Sequence, residues 1–402
     1  MKKSILLGAL AILSLVTNAQ DVSISMGENY EDRVFYKLSD GTINNYSNLD
    51  WDVAFYRIDN YEFAIRVNDG KGLQVYEAAS SPSEWDNIDV ADAGSWSSLY
   101  NSDTQWALGA FDNGSATYGW GEYNPATHHV EGAVVFVIEN AAGEYTKFFI
   151  EDFYGGYTFK YATWNGSAWS ADQTHTVSNT SNEGHLFNYF SLTSNQEVMA
   201  APALEGWDLA FMRYATDVGG GMMYVVTGVL HRPGITVAKH DETSGAPDIN
   251  DLTYVEDINT IGYDWKGFNG STYDVDSDTG YYIKTEDNHV YKVIFTEFEG
   301  GDSGNVSFTL GDMGTLGTND ISANSSFALY PNPTTDKQVM LTLHQNNPNT
   351  SVAIYNITGS KVFETAVTAT NATLNLSQLP SGMYMATVTT GDIQETKKLI
   401  VR

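Results

Sequence analysis

Hydrophobic and polar positions alternate in short runs along this chain, and no long stretch repeats with a helical period. Val339, Leu341 and Leu343 alternate with polar residues, as do Val352 with Ile354 and Leu374 with Leu376. A period of two puts successive side chains on opposite faces of a strand, so each run reads as a half-buried strand. Asn332-Pro333, Asn356 to Gly359 and Pro380-Ser381-Gly382 supply the turns between them. Residues 327–402 are therefore expected to form a small antiparallel, immunoglobulin-like β-sandwich. Upstream, alternation predicts that Trp51, Val53 and Phe55 face one way while Asp52, Ala54 and Tyr56 face the other. The small alanine there leaves room for another strand or loop to approach.

The upstream pattern occurs twice. Phe35-Tyr36-Lys37-Leu38 precedes Trp51-Asp52-Val53-Ala54-Phe55-Tyr56-Arg57, and Tyr189-Phe190-Ser191-Leu192 precedes Trp207-Asp208-Leu209-Ala210-Phe211-Met212-Arg213. Each is followed by a β-rich run, Phe63 to Val67 or Met223 to Val229, and then by Gly72-Leu73 or Gly234-Ile235. Further on, Tyr118-Gly119-Trp120 matches Tyr263-Asp264-Trp265, and the match runs ungapped to Gly155-Gly156 against Gly300-Gly301. Ten identities in these 39 positions, in the same order as the upstream match, indicate an internal duplication. The expected fold is all-β: two homologous antiparallel modules, 20–175 and 180–315, each with its own core, then a linker, 316–326, and the tail. The aspartate of each Trp-Asp pair is expected to cap a turn or to pair with Arg57 or Arg213.

Met1-Lys2-Lys3, the apolar run Ile5 to Val16 and the small residues Thr17-Asn18-Ala19 read as a secretory signal peptide over 1–19. No later stretch is long and apolar enough for a transmembrane helix. The chain has no cysteine, which excludes disulfides and a lipidated N-terminal cysteine. A formal net charge of −30 would repel nucleic acid and anionic membranes, and suits a soluble protein of a salty exterior.

The tail carries more than a strand pattern. Phe327-Ala328-Leu329-Tyr330-Pro331-Asn332-Pro333 opens it, Val352-Ala353-Ile354-Tyr355-Asn356 runs into Gly359, and Leu374 to Tyr384 follows. Lys397-Lys398-Leu399-Ile400-Val401-Arg402 closes it. This resembles the type A C-terminal sorting domain of the type IX secretion system. The resemblance implies a passenger carried through the periplasm and across an outer membrane, the secretion machinery as a partner of 327–402, and a secreted or surface-attached product.

The Trp-Asp-hydrophobic-Ala-Phe strands, with Asn68-Asp69-Gly70 as a turn and Lys147-Phe148-Phe149 and Lys292-Val293-Ile294 as later strands, resemble the HmuY-like family of secreted haem-binding proteins. The resemblance implies an all-β scaffold that holds haem iron between histidine or methionine side chains, and a possible outer-membrane receptor. It does not identify the ligands here.

A haem site needs a nitrogen or sulfur donor beside an aromatic slot. His128-His129, near Trp120 and Tyr123, are candidates in the first module. Met222, Met223 and His231, with Trp265 and Phe268, are candidates in the second. A solvated turn would equally explain the histidine pair, and core packing the methionines and tryptophans. Asp274, Asp276 and Asp278 with Gly280 suggest a calcium loop or an acidic hairpin turn. No nucleophile elbow, metalloprotease histidine motif or phosphate loop is present, so a non-enzyme is expected. The expected function is extracellular haem or porphyrin binding for iron acquisition; the alternative is a surface module that binds glycan or protein.

Overall fold

A computed structural model describes residues 19–57, 64–178, 184–316, 327–335, 337–343, 350–356, 359–390 and 393–402. The expected signal peptide up to Asn18, and 317–326 of the expected linker, lie outside these. The chain divides into two units, 1–316 and 317–402.

The first unit is built almost wholly of antiparallel strands, as the alternation predicts. One sheet runs Gln173–Ser178, Gly156–Thr163, Tyr145–Phe153, Val135–Glu139, Gln74–Ala79, Ser97–Leu99. A hairpin, Gly121–Asn124 with His129–Gly132, joins it at the C-terminal end of the interior strand Tyr145–Phe153. A second sheet runs Gln20–Ser25, Asn305–Thr315, His289–Phe298, Thr279–Lys284, Thr236–Asp241. Two smaller four-stranded sheets and a two-stranded hairpin, Lys266–Phe268 with Tyr273–Val275, complete the unit. In one sheet, Phe187–Ser191 pairs with Val53–Tyr56; in the other, Asp32–Tyr36 pairs with Leu209–Asp217.

These pairings correct the expected module boundaries. The modules 20–175 and 180–315 do not close separately, because each repeat lends its first aromatic strand to the other. Tyr189 sits opposite Ala54 and Phe190 opposite Val53, while Phe35 sits opposite Ala210 and Tyr36 opposite Leu209. The exchange extends to the N-terminal strand, where Val22 pairs with Phe308. Both repeats carry the same alternation, so either copy of the strand satisfies either edge, and sequence pattern alone does not choose between them.

Each aspartate of the Trp-Asp pairs secures this exchange. The Asp52 amide donates to Phe190 O (2.9 Å) and its Oδ2 accepts from the Leu192 amide (2.7 Å). The Asp208 amide donates to Tyr36 O (2.8 Å) and its Oδ2 accepts from the Leu38 amide (2.9 Å). The ion-pair partners are Lys71 for Asp52 (2.7 Å), and Lys37 (3.0 Å) and Arg232 (3.2 Å) for Asp208. Arg57 and Arg213 do not take that role; Arg57 instead donates to Asn188 Oδ1 (3.2 Å).

Three large cores follow. One is built mainly on the first repeat around Phe55, Phe111, Phe148 and Phe159, and one on the second around Phe211, Tyr281, Phe295 and Phe308. The third joins residues of both small sheets. There Trp51 meets Tyr189 (5.0 Å, 75°) and Trp207 meets Phe35 (5.1 Å, 75°), two equivalent edge-to-face contacts made across the repeats. Ala54 and Ala210 lie in this core, where a small side chain admits the opposite sheet. Trp51 joins them rather than Val53 and Phe55, which corrects the face expected from alternation. The strand starts only at Val53, and the bend at Asp52 turns the tryptophan over.

The second unit is the expected sandwich. One sheet holds Phe327–Tyr330, Gln338–Leu343 and Asn371–Asn375; the other holds Lys361–Val367, Thr350–Asn356, Gly382–Thr390 and Ile393–Val401. Val339, Leu341, Leu343, Val352, Ile354, Leu374 and Leu376 all point into its core. The opening motif zips onto the last strand. Asn332 Nδ2 donates to Lys398 O (2.7 Å), the Ile400 amide donates to Asn332 Oδ1 (2.9 Å), and the Arg402 amide donates to Thr334 O (2.8 Å).

Candidate functional site

The hairpin that carries His128 and His129 is exposed. A positive φ of 64° at His128 turns the chain between its strands, and its Nδ1 lies 2.7 Å from the Tyr123 hydroxyl. His129 stacks on Tyr154 (4.4 Å, 5°), and its Nδ1 lies 2.7 Å from Asp152 Oδ1. A carboxylate on Nδ1 fixes the ring and directs Nε2 outward, the arrangement by which proteins orient a metal-binding imidazole. No local sequence signal marks Asp152 and Tyr154, which reach His129 only because the hairpin pairs with the strand Tyr145–Phe153.

The other haem candidates do not gather into a slot. Trp120 and Trp265 are fully buried, each in its own repeat's core; Trp265 stacks on Phe295 at 4.0 Å. Tyr123 and Phe268 are exposed on equivalent hairpins. Met222, exposed, and Met223, half-buried, occupy the hairpin after Gly219-Gly220-Gly221. His231 is buried, with Nδ1 3.1 Å from Arg232 O and Nε2 3.0 Å from Asp257 O. Burial pushes its pKa below the ordinary value. Both ring nitrogens face backbone carbonyls inside the protein, so neither is open to iron, and His231 acts as an internal tie.

Two carboxylates of the suggested calcium loop, Asp274 and Asp276, are engaged in local turns. Asp274 accepts from Asn269 Nδ2 (2.9 Å), while Asp276 accepts from the Asp278 amide (3.0 Å) and the Thr279 hydroxyl (2.7 Å). Among the described residues no three His, Asp or Glu side chains converge as a metal site.

Three concave features lie along the seam between the repeats, and one of about 330 Å³ lies within the first repeat, lined by residues of 77–80 and 92–97. One feature of the seam is an open groove of about 560 Å³. Tyr56, Thr104, Gln105, Trp106 and Ala107 line it from the first repeat, and Pro233 to Thr236 with Glu256, Asp257 and Ile258 from the second. Trp106 is held in place because its Nε1 donates to His231 O (2.8 Å). Gln105, Glu256 and Asp257 are exposed at the rim. A second cavity of about 150 Å³ lies between Val67 to Asn101 and Ala215 to Val225, and a third, of about 20 Å³, lies deep between the small sheets. Nothing in local sequence marks these places, since they exist only where the repeats interlock.

No helix among the described residues is long and apolar enough to cross a membrane. None of the curated proteins matches this chain. Among solved structures it is similar to PorZ, an essential bacterial surface component of the type IX secretion system of Porphyromonas gingivalis. Identity is 13% over 70% of this chain and 41% of that one, with a TM-score of 0.18. Residues 328–402 match the family described as the secretion system C-terminal sorting domain. The zipped tail is thus a type IX sorting domain that engages the secretion machinery, and the chain is a type IX-exported protein, secreted or attached at the outer-membrane surface.

Proposed function

We propose that the exported part of this chain is a non-catalytic binding protein, and that it takes a neutral, hydroxyl-rich ligand of the glycan class in the groove between the repeats. The groove carries this reading. Its volume of about 560 Å³ lies within the common range for ligand sites, and it lies at an interface between structural units, where such sites concentrate. Tyr56, Trp106 and Ile258 give it an apolar base, while Thr104, Gln105, Thr236, Glu256 and Asp257 offer hydrogen bonds. Carboxylates on the rim favour hydroxyl donors and repel anions, as does the overall charge of −30. Calorimetric titration of the secreted protein with neutral oligosaccharides should detect saturable binding. The double variant Gln105→Ala, Glu256→Ala should weaken it about tenfold without changing thermal unfolding, since two rim hydrogen bonds are lost. Binding that is unchanged in the double variant would remove the groove from the account.

One observation favours a second reading, haem binding in keeping with the HmuY-like resemblance: the Asp152–His129 pair stacked on Tyr154. This site is an exposed edge rather than a slot, so it would hold haem by one imidazole, the ring being kept in place by Asp152 and Tyr154. Haemin titration should then give a shifted Soret band that disappears in His129→Ala. An unchanged haemin spectrum eliminates this reading and leaves the groove.

A further inference from the structure

The cavity of about 20 Å³ between the small sheets is walled by two buried guanidinium groups. Arg33 is 3% exposed and Arg66 is 6% exposed. Arg66 is well satisfied: Nη1 donates to Gln105 O (2.8 Å) and Leu108 O (3.2 Å), and Nη2 to Ser102 O (2.8 Å). Arg33 is not. Its Nη2 donates to the Ala200 carbonyl, but its Nε is buried with no partner. Its guanidinium lies over the rings of Trp51 (4.7 Å) and Tyr189 (5.1 Å). Trp51 Nε1 is a second buried donor with no partner.

One carboxylate lines the cavity. Asp69 Oδ2 already accepts from Asn101 Nδ2 (3.0 Å) and the Ala215 amide (3.1 Å). Two other carboxylates act on Arg66 without lining the cavity. Asp103 is bonded to Thr216 and Asn259, and Asp112 to the amides of Ile65 and Gly109. A guanidinium stays protonated in proteins. The residues lining the cavity therefore carry two positive charges against one carboxylate, and three buried polar atoms among them have no partner: Arg33 Nε, Trp51 Nε1 and the Tyr214 hydroxyl. Buried cations are retained where a counter-charge meets them.

We propose that this cavity binds a monatomic anion, chloride in the natural setting, between Arg33 Nε and Trp51 Nε1. The space admits about one water-sized guest, which excludes sulfate and larger anions. The anion would neutralise the wall where the exchanged strands Asp32–Tyr36 and Phe187–Ser191 face each other, so the seam would be tightened by halide. This site is separate from the open groove and stands whether or not a glycan binds there.

Thermal unfolding of the secreted protein in sodium chloride and in sodium gluconate at equal ionic strength tests the proposal. The midpoint should rise only with chloride, by about 2 °C for each tenfold increase above the dissociation constant. Arg33→Met and Trp51→Phe should each abolish that dependence. Wild-type crystals grown in bromide should show an anomalous peak beside Arg33 Nε, which decides the matter even where a variant fails to fold. Equal midpoints in both salts, with a water and no bromide peak in the cavity, overturn it.

Discussion

Cutting the chain between the repeats tests the strand exchange directly. The fragment 20–178 keeps the first repeat's core except Phe190 and Leu192, and loses the partner of Val53–Tyr56 and the cover over the shared core. Phe35, Trp51, Tyr56 and Trp106, each at most 8% exposed in the intact chain, lie in that shared core. Burying a large apolar side chain stabilises by roughly 1.5–3 kcal/mol, so exposing these four costs about 6–12 kcal/mol. A typical domain has a net stability of only about 5–15 kcal/mol. The isolated fragment should therefore lack a cooperative monomeric unfolding transition. It also carries both a donor strand and an empty acceptor edge, and should pair with a second copy at high concentration. Co-expressed 20–178 and 184–316 should elute together on gel filtration and recover the cooperative urea transition of the joined chain, followed by tryptophan fluorescence. A monomeric 20–178 that unfolds cooperatively near the midpoint of the intact protein would refute the exchange.

Two further perturbations read the same interior. Asp208→Ala strands Arg232, which is 3% exposed, with only the mostly exposed Glu286 (3.1 Å) as ion-pair partner, and should cost about 3–5 kcal/mol. The equivalent Asp52→Ala should cost less, about 1–3 kcal/mol, because Lys71 keeps 22% of its side chain in water and can be resolvated; urea unfolding of the two variants gives the order. Asp112 is buried, and burial pushes its pKa up to about 8, against about 4 in the unfolded chain. The folded state then holds a proton that the unfolded state has released, so this contribution to stability is complete below about pH 4 and is lost as pH rises through about 8. Asp112→Asn keeps an oxygen for the Ile65 and Gly109 amides and should flatten the loss of stability between pH 4 and 8. An unchanged slope in the variant would show that another group sets it.

Much of the architecture was legible from spacing. Val339, Leu341 and Leu343 fill the tail core as a period of two requires, and both Trp-Asp strands form where the duplicated pattern puts them. Trp51 and Trp207 could not be oriented from alternation, because a bend precedes each strand and the aspartate that makes it binds the other repeat. His231 offered a soft ligand in sequence but lies between two carbonyls in the fold. His129 acquires its orienting carboxylate and its stacked ring from residues 23 and 25 positions away, brought there by strand pairing.

The sequence by itself determined the all-β class, the duplication, the tail and the route of export, because these depend on local period, composition and contiguous motifs. Tertiary structure alone decided which copy of each repeated strand pairs with which edge. Two identical patterns are degenerate in local energy, and only the closing of a shared core distinguishes them. The groove and the cationic cavity are consequences of that choice, since each is lined by residues that meet only once the repeats have exchanged strands.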